Sequence, residues 1–467
     1  MDGTGFFVAQ PEILFTHAYM MGEDRQNRGK MHPLPPLLPA EVAAWIEDRA
    51  STVVSFWDST FRMDEGAFEV AISRERPRVA WIYCHPTTRA MGLKFCSIAR
   101  RSGAVVLAGG PDAQLHPSQY LRAGADAILH GSGEAATLDL LVGLRTSDYR
   151  PTWDLLGRVA GISYLDQHGT VREAAGAVRE QPIDELPLPF RDPEATRIHL
   201  ERWLKVRKYR PLSLRSARGC PLACGFCTHS VFGKPYQRRR PEAVVDEMKG
   251  LAGRFPVDRF VFMDELFVFD DQWLRDFANG LRGGSVPYEA TAHPNTVTPE
   301  AIRALVDSRC TRLELDATSG SGRLLDSLGW SHDPSAVFRA ASLIREAGIE
   351  LGLRVQIGLP GETREDLDQT LEMVDLIGPA GVEVTRVDPG APAIFRKDWC
   401  RVVAGPVAED AARSAPLPGP VLLAAANWLT TRGQARLVEG PAARLRRAAS
   451  QPLLRAAVKA LPGLRRR

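Results

Sequence analysis

The sequence predicts an α/β protein with two successive regions of alternating strands and helices. Five short runs rich in β-branched residues alternate with amphipathic stretches in residues 1–145. Six further strand-like runs alternate with helical stretches in residues 211–400. Residues 146–210, between them, are interrupted by prolines and polar turns. Strands that alternate with helices are typical of parallel sheets covered on both faces.

The bulk composition is that of an ordinary globular protein. A chain of 467 residues, with 44% hydrophobic and 25% charged residues, can form two or three domains. The net charge of +3 gives no reason to expect a nucleic-acid partner. No run of 18 apolar residues and no secretory signal is visible, so we expect no membrane span. Seven cysteines, three of them clustered, do not form a disulfide pattern, and we expect a cytoplasmic location.

The first region, residues 1–145, is expected to be a Rossmann-like domain. Its predicted strands cover residues 12–18, 51–58, 78–85, 104–110 and 126–131. Open parallel sheets bind ligands outside the carboxyl ends of their strands. Two such ends carry the turns Gly109-Gly110-Pro111 and Gly131-Ser132-Gly133-Glu134, where glycine permits the close approach of a flat ligand. A flavodoxin-like domain that binds nothing is the alternative.

Residues 146–210 are predicted to be a linker that contains a small hairpin. Apolar alternation over residues 161–173 surrounds a polar turn at 166–169, as in a hairpin. The segment 184–192 holds several prolines and is not expected to form a regular element.

Residues 211–400 are predicted to form a partial (β/α)6 barrel of the TIM type. The predicted strands cover residues 212–218, 259–267, 288–294, 311–319, 351–358 and 382–389. Six units instead of eight indicate a barrel that is open on one side. Chemistry in such barrels collects at the carboxyl ends of the strands. The segment 401–467 is basic and predicted to be mostly helical, either packed on the barrel or bound to an anionic surface.

The loop after the first barrel strand carries three clustered cysteines. Cys220, Cys224 and Cys227 have the spacing Cys-x3-Cys-x2-Cys. Three thiolates this close can hold three irons of a cubane cluster and leave the fourth iron open to a small molecule. A zinc site with His229 as fourth ligand is the alternative, but structural zinc ligands usually come in two separated pairs.

This spacing, with Phe226 before the last cysteine, resembles the radical S-adenosylmethionine (radical SAM) superfamily. The resemblance implies a [4Fe-4S] cluster held by Cys220, Cys224 and Cys227, with SAM chelated at the open iron. It also implies reductive cleavage of SAM to a 5′-deoxyadenosyl radical, with an external electron donor of the flavodoxin or ferredoxin type.

The superfamily resemblance also implies SAM contacts at the other strand ends of the barrel. The matching residues lie in the segments 263–266, 315–322 and 357–363, and on a strand between them: Asp264, Glu265, Thr318, Ser319, Arg354, Ile357 and Gly358. Each has an alternative. Asp264 with Glu265, and Thr318 with Ser319, can cap helices.

Arg354 can pair with Asp316 or Glu314 instead of with the SAM carboxylate. His293 and Asp388 are weaker substrate candidates at the same face. Cys310 is predicted to end a helix as a buried, inert thiol.

The turns of the first region resemble the cobalamin-binding domain of cobalamin-dependent (class B) radical SAM enzymes. The resemblance lies in the segments 35–47, 108–117 and 128–138. It implies cobalamin contacts at Thr87, Thr88, Gly109, Gly110, Pro111, Gly131, Gly133 and Glu134. His17 lacks the flanking Asp and Gly of the lower-axial histidine motif, so we expect it not to bind cobalt.

The family resemblance implies methylation of an unactivated carbon of a small secondary metabolite. One SAM methylates cobalamin, and a second gives the radical that activates the substrate. A cobalamin-dependent oxidation, cyclisation or ring rearrangement is the first alternative, and a non-catalytic cobalamin or iron–sulfur sensor is the second. We expect a monomer with a small-molecule substrate and no nucleic-acid partner.

Overall fold

The computed structural model describes residues 10–24, 33–222, 224 and 236–386. The chain divides into two compact units, one of residues 1–213 with 253–258 and one of residues 214–252 with 259–467. The predictions for Phe226, Cys227, His229, Asp388 and the segment 401–467 lie outside the described residues. None of the described helices is long and apolar enough to cross a membrane.

The first unit contains one seven-stranded sheet. Its strands are β1 (Ile13–His17), β2 (Val54–Trp57), β3 (Val79–Tyr83), β4 (Val105–Gly109), β5 (Ala127–Leu129), β6 (Ile162–Leu165) and β7 (Val171–Glu173). The order is β2-β1-β3-β4-β5-β6-β7. The first five strands are parallel, and the predicted hairpin of β6 and β7 adds two antiparallel strands at the edge of this sheet.

Helices cover both faces of this sheet. The helices of this unit are α1 (Leu38–Ala50), α2 (Gly66–Glu75), α3 (Arg89–Arg101), α4 (Pro111–Leu115), α5 (Pro117–Arg122), α6 (Glu134–Thr146), α7 (Trp153–Arg158) and α8 (Pro193–Arg207). Along β3, Ala80 and Ile82 enter one core cluster, while Val79 and Trp81 enter the other. Because both faces are buried, the strands are continuous apolar runs instead of alternating ones.

The strand order of the first unit determines where it can bind a ligand. After β1 the chain moves to one side for β2 and then to the other side for β3. In this 2-1-3-4-5 order, ligands bind at the carboxyl ends of the two strands where the direction changes. These are β1, which ends at His17, and β3, which ends at Tyr83.

The second unit is built on a six-stranded sheet, so the expected partial barrel is confirmed. The strands from here on are β8 (Pro211–Leu214), β9 (Ala217–Arg218), β10 (Gln237–Arg238), β11 (Arg259–Phe262), β12 (Tyr288–Ala292), β13 (Cys310–Thr318), β14 (Glu350–Ile357) and β15 (Gly381–Arg386). The sheet order is β15-β14-β13-β12-β11-β8, and β9 pairs with β10 separately. The four pairs from β11 to β15 are all parallel.

The helices of the second unit begin at side-chain caps that the sequence supplies. They are α9 (Pro241–Arg254), α10 (Asp271–Gly280), α11 (Pro299–Asp307), α12 (Gly322–Ser327), α13 (Pro334–Glu346) and α14 (Arg364–Ile377). The caps of the last five are Asp270, Thr298, Ser321, Asp333 and Thr363, each accepting a backbone N–H of the first turn.

One local prediction in this unit is wrong. Cys310 does not end a helix, because α11 stops at Asp307 and Cys310 begins β13. It is buried as expected, and burial raises the pKa of its thiol well above the usual value.

Candidate active site

The cysteine loop is closed at its base by a short antiparallel ribbon. Ala217 pairs with Arg238, and Arg218 pairs with Gln237. The chain therefore leaves the ribbon just before Cys220 and returns to it after residue 236. This arrangement fixes both ends of the segment that carries the three cysteines.

Asp264 anchors the start of that loop. Its carboxylate follows β11 and accepts hydrogen bonds from the backbone N–H groups of Ser216, at 2.8 Å, and Ala217, at 3.0 Å. Burial raises the pKa of Asp264 to about 6. The alternative that Asp264 caps a helix is wrong, because Asp270 caps α10. Glu265, beside it, is exposed.

Two arginines that the sequence did not single out hold the returning strand. The guanidinium of Arg238 lies 3.7 Å from the ring centre of Trp273 and donates a hydrogen bond to the carbonyl oxygen of Phe267 at 2.7 Å. Arg239 forms a buried ion pair with Glu247. In the sequence both belong to a run of three arginines, which a solvated surface explains equally well.

Cys224 lies beside a polar cluster of three residues. Its Sγ is 3.2 Å from Ser331 Oγ, and Ser331 Oγ is 3.1 Å from His293 Nε2. His332 Nδ1 is 3.0 Å from the same His293 nitrogen. Burial, together with His332, lowers the pKa of His293 to about 4. Neither Cys220 nor Cys224 forms a disulfide with another described cysteine.

Of this cluster, the sequence pointed to Cys224 and His293 but missed Ser331 and His332. In the sequence, these two only precede Asp333, the cap of α13. Within the described residues, no three His, Cys, Asp or Glu side chains are grouped as a metal site.

The turn after β13 holds a strained residue. Thr318 is fully buried and has a φ of +53°, which is rare for a β-branched residue. Strain of this kind costs on the order of 1–3 kcal/mol and persists only where the surroundings impose it. Ser319 is bound to Thr370 at 3.0 Å, and Ser321 caps α12. The alternative that Thr318 and Ser319 cap the following helix is therefore wrong.

Arg354 lies between two acidic residues on neighbouring strands. It is in register with Asp316 on β13 and Glu383 on β15, and its Nε is 3.3 Å from a carboxylate oxygen of Glu383. The alternative partner Glu314 pairs instead with Arg312. The side chain of Arg354 remains 42% exposed, so it is accessible to a ligand.

The end of β14 forms a tight turn. Ile357 is buried, and Gly358 has a φ of +79° and donates its N–H to a carboxylate oxygen of Glu362 at 2.5 Å. Burial raises the pKa of Glu362 to about 7. Glu362 therefore fixes the turn that contains two of the predicted SAM contacts.

In the first unit, His17 is used structurally at the end of β1. Its Nδ1 accepts the N–H of Tyr19 at 3.3 Å, and its Nε2 donates to Asp58 at 2.9 Å. Asp58 also accepts a hydrogen bond from His199 at 2.7 Å. Burial alone would raise the pKa of Asp58, but the two histidines outweigh it and hold the pKa well below the usual value. Both ring nitrogens of His17 are engaged, as expected of a residue that does not bind cobalt.

The glycines at the strand ends are needed by the packing of the chain itself. A Cβ on Gly109 would lie 2.9 Å from the ring of Trp81, and one on Gly110 would lie 2.5 Å from the carbonyl oxygen of Cys84. A Cβ on Gly131 would overlap the Glu180 carboxylate. The interpretation that these glycines serve only the approach of a ligand is therefore too narrow. At Gly133, with a φ of +91°, a Cβ would meet nothing closer than 3.5 Å.

The other predicted contacts of the first unit lie at the same strand ends. Thr88 caps the short turn after β3, and its hydroxyl accepts the N–H of His85 at 3.0 Å, while Thr87 is exposed. Pro111 begins α4, and the buried Glu134 begins α6. The ends of β3, β4 and β5 are adjacent in one parallel sheet, so the structure brings these residues to one edge.

Comparison with known families identifies the second unit. Residues 214–374 match the model of the Radical SAM superfamily. This part of the chain is a radical SAM domain. A [4Fe-4S] cluster and SAM are the cofactors of such a domain, so the expectation of these two cofactors is confirmed.

Curated relatives match parts of the chain. A protein named an uncharacterized methyltransferase from Pyrococcus horikoshii is 26% identical over 277 residues, which are 57% of this chain and 57% of that protein. An anaerobic magnesium-protoporphyrin IX monomethyl ester cyclase from Cereibacter sphaeroides is 26% identical over 53% of this chain and 40% of its own length. The chain thus matches only about half the length of these relatives.

Solved structures match both sheets. The radical SAM methyltransferase TsrM from Kitasatospora setae, with tryptophan and a SAM analogue, superposes with a TM-score of 0.64 and 19% identity over 80% of this chain and 73% of its own. The cobalamin-dependent radical SAM enzyme OxsB, with aqua-cobalamin, gives a TM-score of 0.62 and 16% identity over 85% of this chain and 56% of its own. The chain has the fold of cobalamin-dependent radical SAM enzymes, as the sequence predicted.

Proposed function

We propose that this protein is a cobalamin-dependent radical SAM methyltransferase that acts on an unactivated carbon of a small metabolite. The observation that carries the proposal is the cysteine loop closed by β9 and β10 at the sheet of a radical SAM domain. When bound, the cluster and SAM supply the radical chemistry, and cobalamin supplies the methyl group. The chain's own residues bind and orient the cofactors and the substrate, and they exclude water from the site.

Cys220, Cys224 and Cys227 are proposed to hold the cluster. The ribbon and the Asp264 carboxylate fix the start of the loop, and the ribbon also fixes its return. Phe226 is proposed to pack beside the bound SAM. Anchored ends lower the entropy cost of ordering the loop around a cluster.

SAM is proposed to bind along the strand ends of the second unit. The accessible guanidinium of Arg354 is suited to the SAM carboxylate, in exchange for its ion pair with Glu383. Glu265 can accept a hydrogen bond from the SAM amino group, whereas Asp264 positions the cysteine loop. The strained turn at Thr318 and Ser319 and the turn at Ile357 and Gly358 are proposed to contact the rest of SAM by their backbones.

Cobalamin is proposed to bind at the carboxyl edge of the first sheet, near the change of direction between β1 and β3. The turns at Gly109, Gly110 and Gly133 carry no side chain at this edge, and at Gly133 even a Cβ would meet nothing closer than 3.5 Å, which supports the approach of a flat ligand. Thr87, Thr88, Pro111, Gly131 and Glu134 complete the proposed contacts. Two similar folds, TsrM and OxsB, have been solved with cobalamin bound, which supports this proposal. We expect that His17 is not its cobalt ligand, since both of its ring nitrogens are engaged.

A cyclase or oxidoreductase on the same scaffold is the second candidate, since one relative is named a cyclase. Incubation of the anaerobically reconstituted protein with SAM, a reductant, cobalamin and candidate metabolites distinguishes the two. A product heavier by one methylene supports methyl transfer, and a desaturated or rearranged product supports the second candidate. Binding of the ligands without formation of 5′-deoxyadenosine would indicate a sensor.

We further propose that the protein is a monomeric, cytoplasmic enzyme. It takes electrons from an external flavodoxin or ferredoxin and has no nucleic-acid partner.

A further inference from the structure

We propose that Ser331 is a positioning residue for the iron–sulfur cluster, and that it donates a hydrogen bond to the Cys224 thiolate in a direction fixed by His293 and His332. This hydrogen bond makes the cluster easier to reduce. The inference rests on the proposed function, because it takes Cys224 to be a cluster ligand. It adds that the reduction potential of the cluster depends on Ser331, which lies 107 positions after Cys224 in the chain.

The direction of each hydrogen bond follows from the groups at the ends of the network. His332 Nε2 lies 3.3 Å from the carbonyl oxygen of Ala317, which can only accept, so Nε2 carries the hydrogen and Nδ1 is bare. The N–H of Asn295 donates to His293 Nδ1 at 3.2 Å, so the hydrogen of His293 is on Nε2. That hydrogen faces His332 Nδ1 at 3.0 Å and Ser331 Oγ at 3.1 Å.

Ser331 is thereby left with its own hydrogen to donate. Its oxygen accepts from His293, and among the described residues the other side chain at hydrogen-bond distance is Cys224, whose Sγ lies at 3.2 Å. A cysteine that binds iron is a thiolate and can only accept. The hydroxyl hydrogen of Ser331 is therefore directed at the sulfur.

An exposed serine needs this support to keep one orientation. Ser331 lies on the surface between α12 and α13, where packing does not fix its side chain. The side-chain amide of Asn295 holds its carbonyl oxygen at 2.6 Å. His293 and His332 are buried, with ring centres 4.8 Å apart. Burial lowers the pKa of both rings, so they stay neutral and keep these donor and acceptor roles.

The physical effect is electrostatic. Reduction adds negative charge to the cluster and its sulfurs, and a donor aimed at one sulfur stabilises that charge. The same network ends at Ala317, beside the strained Thr318 of a proposed SAM turn. A displacement of this turn would move His332 and, through His293, the hydroxyl group of Ser331. The orientation of the donor therefore depends on the turn.

The test is a potentiometric titration of the reconstituted holoprotein, followed by electron paramagnetic resonance. In Ser331→Ala we expect the ratio of reduced to oxidised cluster at a fixed potential to be about tenfold smaller. For a one-electron couple, this corresponds to a reduction potential about 59 mV more negative. Ser331→Thr keeps the hydroxyl and restores the potential. Ser342→Ala removes an exposed hydroxyl on α13 that donates to Glu346, and as the matched control it leaves the potential unchanged.

An intact cluster in Ser331→Ala with the wild-type potential would overturn the inference. Should Ser331→Ala fail to assemble a cluster, His293→Leu decides the question, because it keeps the serine and removes the donor that orients it. A more negative potential in that variant supports the inference, and the wild-type value refutes it. A wild-type protein that assembles no cluster refutes the proposed function instead.

Discussion

The carboxylate of Asp264 holds Ser216 by two hydrogen bonds, one from the backbone N–H at 2.8 Å and one from the hydroxyl group. Ser216 immediately precedes the ribbon, four positions before Cys220. The end of one strand thus fixes the chain that leads into the cysteine loop. Removal of this carboxylate is expected to affect the loop more than the sheet.

The first prediction concerns that anchor. Asp264→Ala leaves the buried N–H groups of Ser216 and Ala217 without an acceptor, which we expect to cost about 3 kcal/mol in the free energy of unfolding and to lower the iron content after reconstitution. Urea unfolding and iron and sulfide assays measure both. The exposed Asp326→Ala is the control and should match the wild type. Full cluster occupancy in Asp264→Ala would show that the anchor is dispensable.

The second prediction concerns pH and Glu362. Burial raises its pKa from the usual 4.5 to about 7, so the folded chain binds more protons than the unfolded chain between these values. Its contribution to stability is therefore greatest below about pH 4.5 and falls, by about 3 kcal/mol in total, as the pH rises to about 7.

Glu362→Gln keeps an acceptor for the Gly358 N–H but does not titrate, so the unfolding free energy should fall less over the same range. Urea titrations across that range, on variant and wild type together, make the comparison. Identical pH profiles for the two proteins would show that Glu362 stays ionised in the fold.

The third prediction concerns the buried pair of histidines on Asp58. Asp58→Ala leaves His17 and His199 without their acceptor and should cost roughly 3 kcal/mol in the free energy of unfolding. The exposed Asp48→Ala is the control. Because Nε2 of His17 is bound to Asp58 and Nδ1 accepts the N–H of Tyr19, bound cob(II)alamin should show no nitrogen splitting from a protein histidine in its paramagnetic resonance spectrum. Such a splitting, lost in His17→Ala, would contradict the structural role of His17.

The fourth prediction separates backbone strain from packing at the glycines. Gly110 and Gly103 have φ values of +94° and +87°. A Cβ on Gly103 would meet open space, whereas one on Gly110 would meet the Cys84 carbonyl and the Tyr83 ring. We expect Gly103→Ala to cost about 1 kcal/mol through strain alone, and Gly110→Ala about 2 kcal/mol more.

Thermal or urea unfolding gives the difference between the two variants. Gly110→Ala should also weaken cobalamin binding, as measured by absorbance after gel filtration, while Gly103→Ala should not. Equal costs for the two substitutions would mean that the close contact at Gly110 relaxes without penalty.

Local patterns in the sequence were sufficient to predict the strands and the cysteine loop. The apolar run at residues 12–18 contains β1, and the run at 351–358 covers all of β14 except its first residue, because burial on both faces leaves a continuous apolar signal. The spacing of Cys220 and Cys224 is likewise local, and its place after β8 follows from the order of the strands.

Contacts between distant segments could not be predicted in this way. The link between Cys224 and Ser331 depends on the registers of several strands and on the loop before α13. The role of Asp264 depends on its proximity to Ser216, 48 residues earlier. Gly131 matched a family turn, yet its side-chain space is taken by Glu180, which the sequence places in a linker.

We propose that this chain holds a [4Fe-4S] cluster with an open iron, together with cobalamin. The most direct test of this proposal is the metal and sulfide content of anaerobically reconstituted protein, with and without Cys224→Ala, combined with paramagnetic resonance spectra before and after SAM is added. We expect about four irons and one cobalamin per chain, and a reduced-cluster spectrum that changes with SAM. Zinc without sulfide or cobalt, or a spectrum that ignores SAM, would contradict it.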